Sequence, residues 1–420
     1  MDLKNWNFNM NNQRFYSNEI QIELDDVYGC PGHCPGCVLS TIEKKNVEPD
    51  MLFSTLQKSF EKLSEFVPTL EHLEKINVTY GIADHFLMSN EYLEKTFLEA
   101  AQFIQKMNLS NPHNGVFYTS SMIGKSKHIL EKVQYLQKIS QKMNVPFYII
   151  AVLDPKNLYR KNFADVYKKN IIETNRLIGK VDLSINLSDE AISYITPQEL
   201  FDFAKMNDFD EVTINWTPTF DNLQFVYMEQ NQLANWLIAF DQLIQKDEKL
   251  GTSFRPVILR TLHNLECKKP QQELSFQENL SLNLPELIYK SIQIDHQGNI
   301  FPKYEAIGDI PHSPRLHFQE IGNVHDLLSI SEMFSQFLPT TKKYVIKQFL
   351  KEPCSSCSFN QYCANTGFHI YNHVLNEAAK NHSLIRQKIY ENIQQNQCLH
   401  IGKKIFNYYH QQEQNKYLDE

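Results

Sequence analysis

The chain has 420 residues, a formal net charge of −8 and 42% hydrophobic residues, enough to bury one large α/β domain and a smaller one without disulfide staples. The acidic balance gives no broad basic face, which argues against nucleic acid or an anionic membrane as a partner. No apolar run approaches the roughly 20 residues that cross a bilayer, and the start, MDLKNWNFNMNNQRF, lacks an apolar signal core, so a cytoplasmic protein is expected.

Short β-branched or aromatic runs recur in chain order: EIQIELDDV from Glu19, INVTY from Ile76, GVFYTS from Gly115, PFYIIAVL from Pro146, VDLSINL from Val181 and EVTINW from Glu211. Each is followed by a stretch with helical apolar spacing, such as Leu52, Leu56, Phe60 and Leu63, or Leu93, Phe97 and Ala101. Strand plus returning helix, repeated six times, predicts an α/β fold with a parallel sheet, either open or curled into part of a barrel. A further helix is expected over residues 230–245. A polar connector over residues 246–290 then separates residues 1–245 from a second region at 291–400, with 401–420 as a tail. That second region opens on SIQIDHQGNIFPK, read as a hairpin turning at Gln297-Gly298.

The eight cysteines fall as three and three, with Cys267 and Cys398 apart; in a reducing compartment this distribution points to metal rather than disulfides. Cys30, Cys34 and Cys37 lie in the loop after the first strand, where parallel sheets place their sites. A closed structural zinc site takes four ligands, whereas this loop offers three thiols and a nearby His33. Four irons held by three thiolates keep one iron open for a substrate. Gly32 and Gly36 let backbone N–H groups approach a cluster's sulfides. A zinc knuckle remains the alternative at this point.

Cys-x3-Cys-x2-Cys in this place resembles the radical S-adenosylmethionine superfamily over about residues 20–216. The resemblance implies a partial (β/α)6 barrel of the TIM type. It implies Cys30, Cys34 and Cys37 as ligands of a [4Fe-4S] cluster whose open iron binds S-adenosylmethionine (SAM). In the family one electron from the reduced cluster splits the sulfonium, and the 5′-deoxyadenosyl radical so formed takes hydrogen from a substrate. Two features depart from the family pattern. Gly36 stands where an aromatic residue packs near adenine, leaving Tyr28 or Phe86 to cover it; YGIADH replaces the Gly-Gly-Glu end of the second strand, making Gly81 and Asp84 the nearest matches. Ser120, Ser184, Asn186 and Asn215, polar residues at strand ends, are further candidate cofactor contacts. Tyr118 and His85 are placed near the radical path by position alone.

PCSSCSFNQYC supplies Cys354, Cys357 and Cys363. With DHQGNIFPK and EIGNVHDL it resembles the SPASM extension of the same superfamily, which carries auxiliary iron–sulfur clusters. Lys303 and Gly367 occupy two ligand positions of the first auxiliary cluster, so the resemblance implies one auxiliary [4Fe-4S] cluster, on Cys354, Cys357, Cys363 and Cys398. A four-thiolate zinc site is the alternative. Enzymes resembling this pair of modules mostly modify peptides or proteins. The leading expectation is therefore a peptide-modifying oxidoreductase, with a small-molecule dehydrogenase or decarboxylase and a non-catalytic metal scaffold as alternatives. Only 29 residues precede Cys30, so no fused peptide-recognition domain is expected; a separate recognition protein or direct docking would serve, with flavodoxin or ferredoxin as electron donor.

Overall fold

The computed structural model describes residues 15–16, 19–30, 47–81, 83–153, 155–158, 164–179, 181–187, 189–209, 211–215, 230–246, 291–302, 320–337 and 408. Nine strands form one sheet: β1 Glu19–Leu24, β2 Lys75–Tyr80, β3 Gly115–Ser120, β4 Phe147–Leu153, β5 Val181–Asn186, β6 Glu211–Asn215, β7 Ser291–Ile294, β8 Asn299–Pro302 and β9 Gly322–Asn323. The helices are α1 Phe53–Phe66, α2 Asn90–Met107, α3 Ser126–Met143, α4 Pro155–Leu158, α5 Ala164–Ile178, α6 Asp189–Tyr194, α7 Pro197–Met206 and α8 Gln230–Gln245. The six strands read from the sequence are all present; Gly115–Ser120 matches at both ends, and the others have an end moved by one to three residues.

Strand order is β6-β5-β4-β3-β2-β1-β7-β8-β9. Strands β1 to β6 are parallel throughout. The sheet does not close on itself, so the architecture is an open, partial (β/α)6 barrel. The hairpin β7–β8 is antiparallel within itself, yet β7 runs parallel to β1 with Gln293 opposite Glu23. The strand that opens the second region of the sequence thus continues the sheet of the first. Hydrophobic pattern alone could not reveal this, because an isolated apolar strand does not specify which edge it joins.

The two faces of the sheet differ in a period-two manner. On β4 buried and half-buried residues alternate strictly. Ile20, Ile22, Leu24, Ile76, Val78, Tyr80, Val116 and Tyr118 are fully buried, and Tyr80 donates its hydroxyl to the Thr96 carbonyl of α2 at 2.6 Å. That is the helix-covered face. The other, inner face carries Glu23, Thr79, Phe117 and Tyr148 in one lateral row.

The helices begin and end where local chemistry predicts. Ser89 caps α2 by accepting the Tyr92 N–H at 3.2 Å, and Asn108 closes it in the left-handed region. Thr196 and Glu199 form a capping box on α7, with Pro197 at its first turn. Leu56, Phe60 and Leu63 are buried as their spacing predicts, but Leu52 is 70% exposed, because it precedes the first turn of α1 and lies off its buried face.

The β7–β8 turn and residues 320–337 pack along α1. His325 meets Thr55 at 3.3 Å, Lys62 donates to the Leu328 carbonyl at 2.8 Å, and Phe66 stacks on Phe334. Gly298 has φ +84°, and a Cβ there would meet Val324 Cγ2 at 2.6 Å. Strain and overlap therefore oppose any side chain at this turn. Gly298→Ala is expected to lower stability by about 1–3 kcal/mol, read as a reduced urea midpoint at unchanged m-value.

Candidate functional site: the thiol-bearing loop at the mouth of the barrel

After β1 the chain runs through Val27 and Tyr28, turns at Gly29, and reaches the buried Cys30. Val27 and Tyr28 pair antiparallel with Pro49 and Glu48, and the Asp26 carbonyl accepts the N–H groups of Asp50 (2.9 Å) and Met51 (3.1 Å). The segment bearing the three clustered cysteines therefore leaves and re-enters the mouth at one clamped base. Cys34 and Cys37, as well as Cys267, Cys354, Cys357, Cys363 and Cys398, lie outside the described residues. Among the described residues no group of three or more His, Cys, Asp and Glu side chains could hold a metal ion. Cys30 fits the ligand role implied for it: it is buried at the carboxyl end of β1, on a loop whose ends cannot drift apart.

Behind this loop, on the helix-covered side, lies a buried polar knot. Asp26 Oδ1 meets His85 Nε2 at 2.8 Å, and Asp26 Oδ2 accepts the Tyr92 hydroxyl at 2.7 Å. Burial pushes the His85 pKa down, but the charge and hydrogen bond of Asp26, with Asp84 nearby, outweigh it and leave it raised. His85 lies against Tyr80 and Tyr118, whose rings stack at 5.1 Å. The Tyr118 hydroxyl donates to the Leu93 carbonyl of α2. Tyr118 and His85 are thus corrected from radical-path candidates to groups packed away from the inner face, because strand alternation turns Tyr118 toward α2. Phe86 is likewise 1% exposed, edge-on to Tyr118, and does not face the mouth; Tyr28 is half-buried there.

The end of β2 lies against β1. The Gly81 N–H donates to the Leu24 carbonyl at 3.0 Å, and a Cβ on Gly81 would meet Glu23 Oε1 at 2.7 Å. Only glycine lets the Glu23 carboxylate lie against this turn. Asp84 and Ser120, two of the candidates, meet directly: Asp84 accepts the Ser120 hydroxyl at 2.9 Å and, through its other oxygen, that of Ser121. Burial raises the Asp84 pKa against these two hydroxyls. Its backbone N–H reaches the Gly29 carbonyl at 3.5 Å, which ties it to the residue before Cys30. Ser184 is buried on β5, and Asn186 lies opposite Asn215 in the β5–β6 register.

Glu23 and Asp25 were not singled out from the sequence, although acids at alternate positions of an otherwise apolar strand are a readable signal. Both are buried, at 7% and 8% exposure. Gln293 of β7 donates to Asp25 Oδ2 at 2.7 Å, while Oδ1 is buried with no hydrogen-bond partner among the described residues. Burial raises the Asp25 pKa to about 7.

An open six-stranded β/α barrel with a clamped loop at its mouth is an architecture shared with solved structures. The chain is similar to the solved structure of anSMEcpe with bound AdoMet, at a TM-score of 0.55 and 12% identity over 90% of this chain and 98% of that one. It is similar also to anSMEcpe with bound AdoMet and Kp18Cys peptide (0.54; 13% identity; 87% and 99% of the two chains). A third likeness is to Streptococcus suis SuiB bound to precursor peptide SuiA (0.52; 14% identity; 82% and 71%). At these identities the likeness is one of fold. No family profile and no curated protein matches the sequence.

Removing both hydroxyls at Asp84, as Ser120→Ala with Ser121→Ala, is expected to destabilise the protein by about 1–3 kcal/mol per lost bond at neutral pH. The folded-state pKa of Asp84 is already raised, so stability attributable to it falls as pH rises above its unfolded value. The double variant raises that pKa further. Its deficit should be smallest below about pH 4, where the loss of the Met122 and Ile123 N–H bonds to the two hydroxyls remains, and grow toward neutrality, in urea unfolding measured across pH.

Proposed function

We propose that the protein is a radical SAM enzyme that modifies a peptide or protein, through crosslinking, oxidation or a similar change begun by hydrogen abstraction. The observation that carries this reading is the clamped loop that brings Cys30, with Cys34 and Cys37 close behind in sequence, to the mouth of the partial barrel. The similar fold of anSMEcpe, solved with AdoMet and a peptide, and of SuiB, solved with its precursor peptide, supports it.

In this reading Cys30, Cys34 and Cys37 hold the [4Fe-4S] cluster, which when bound supplies the electron that cleaves SAM to the hydrogen-abstracting 5′-deoxyadenosyl radical. The chain's own contribution is placement. Gly81, Ser184, Asn186 and Asn215 stand at the strand ends where the SAM methionine, ribose and adenine would lie, whereas Ser120 shares the helix-covered parity of Tyr118 and serves through Asp84. Asp84, with both oxygens occupied by serine hydroxyls, acts by holding the Gly29–Cys30 turn and β3 together. Residues 1–245 form the barrel, 246–290 the connector, and 291–400 an auxiliary domain. There Cys354, Cys357, Cys363 and Cys398 ligate a second cluster that moves electrons or holds the fold. A flavodoxin or ferredoxin supplies reducing equivalents in the cytoplasm, and a separate recognition protein presents the substrate. Among the described residues no helix is long and apolar enough to cross a membrane.

Anaerobically purified protein should carry about eight irons per chain, with matching sulfide, for two cubane clusters. With dithionite and SAM it should form 5′-deoxyadenosine. Cys30→Ala should reduce that product to background and leave about four irons. Zinc in place of iron, or no 5′-deoxyadenosine from fully reconstituted enzyme, would overturn the reading.

A further inference from the structure

We propose that Asp25 anchors a nitrogen cation of a bound ligand, an ammonium or guanidinium, on the inner face of the barrel beside the cysteine loop. The inference deepens the function proposed above and rests on it.

Four observations converge on this residue. Asp25 continues the alternation that puts Gln21 and Glu23 on the inner face of β1. Its Oδ2 is held by Gln293, a residue 268 positions away that stands opposite Glu23 in the β1–β7 register. Among the described residues its Oδ1 is buried without a hydrogen-bond partner. A buried carboxylate oxygen left in this state costs free energy unless a donor meets it. Finally, the charges acting on Asp25 are unbalanced. Asp295 from the end of β7 and the neighbouring Asp26 act against its ionisation, and His85 is the charged group that favours it, beside the Gln293 hydrogen bond; Glu23 lies two residues away on the same face. His85 is already engaged by Asp26. A carboxyl oriented by Gln293, with one bare oxygen among acids, is complementary to a cationic donor.

One ligand of the proposed reaction carries such a nitrogen free of the iron: a lysine or arginine side chain of a peptide. The contact is a charge-assisted N–H to Oδ1. The test uses full-length protein reconstituted with iron and sulfide, titrated calorimetrically at pH 7 in two buffers of different ionisation enthalpy. The titrants, added to SAM-loaded protein, are Nα-acetyl-lysine methylamide and the neutral isostere Nα-acetyl-norleucine methylamide.

Because the Asp25 pKa stands near 7, a cation meeting Oδ1 should expel about half a proton per site. Release with the lysine probe, with about tenfold tighter binding than norleucine, is the expected result. Asp25→Asn should abolish the release and level the tenfold preference. If that variant does not fold, the wild-type proton release decides alone.

The proposal is overturned if neither titrant releases a proton and charged and neutral probes bind alike, or if release persists in Asp25→Asn. Wild-type enzyme that makes 5′-deoxyadenosine yet shows neither signal sinks the anchor and spares the proposed function. Enzyme that shows the release but never cleaves SAM does the reverse.

Discussion

Asp26 stands where four pieces of chain meet, and the mouth of the barrel depends on it. Its carbonyl receives Asp50 and Met51, which bring the cysteine loop home; its carboxylate holds His85 from the turn after β2 and Tyr92 from the first turn of α2. The group is 1% exposed, so its charge is tolerated only because His85 and Tyr92 answer it. Removing one member of such a buried pair typically costs about 3–5 kcal/mol, since the other is left uncompensated. This knot sets where β1 stops and therefore where Cys30 emerges.

The sheet divides its labour by parity. Residues turned toward the helices are apolar or, like Tyr80 and Tyr118, spend their hydroxyls on α2. Residues turned the other way include Glu23, Thr79, Asp182, Ser184 and Gln293, and this face carries the sheet's polar side chains. A partial barrel can present functional groups inside only if its strands stay in register. The parallel ladders from β6 through β7 supply that register, and β7 draws the β7–β8 hairpin into the same frame.

Much of this was legible in the sequence. The six strand–helix units, the α8 helix and the Gln297-Gly298 turn were each marked by periodicity or by a residue with a special backbone role. The first thiol of the site was marked by spacing after a strand. The exchanges between distant residues were not legible. Asp84 reads as a counterpart of a family acid, yet it spends both oxygens on Ser120 and Ser121. Nothing local distinguishes Tyr118, turned toward α2, from Thr119 beside it until the parity of β3 is known.

By itself the sequence determined which segments become strands and helices and where the cysteines cluster, because these follow from hydrophobic period, caps and turn residues acting over a few positions. Tertiary structure alone decided that β7 joins β1, that Gln293 reaches Asp25 across 268 residues, and that Asp26 rather than Asp25 takes the histidine. The physical reason is that adjacent residues of an extended segment point to opposite sides. Which side the helices cover is set only when the whole sheet assembles.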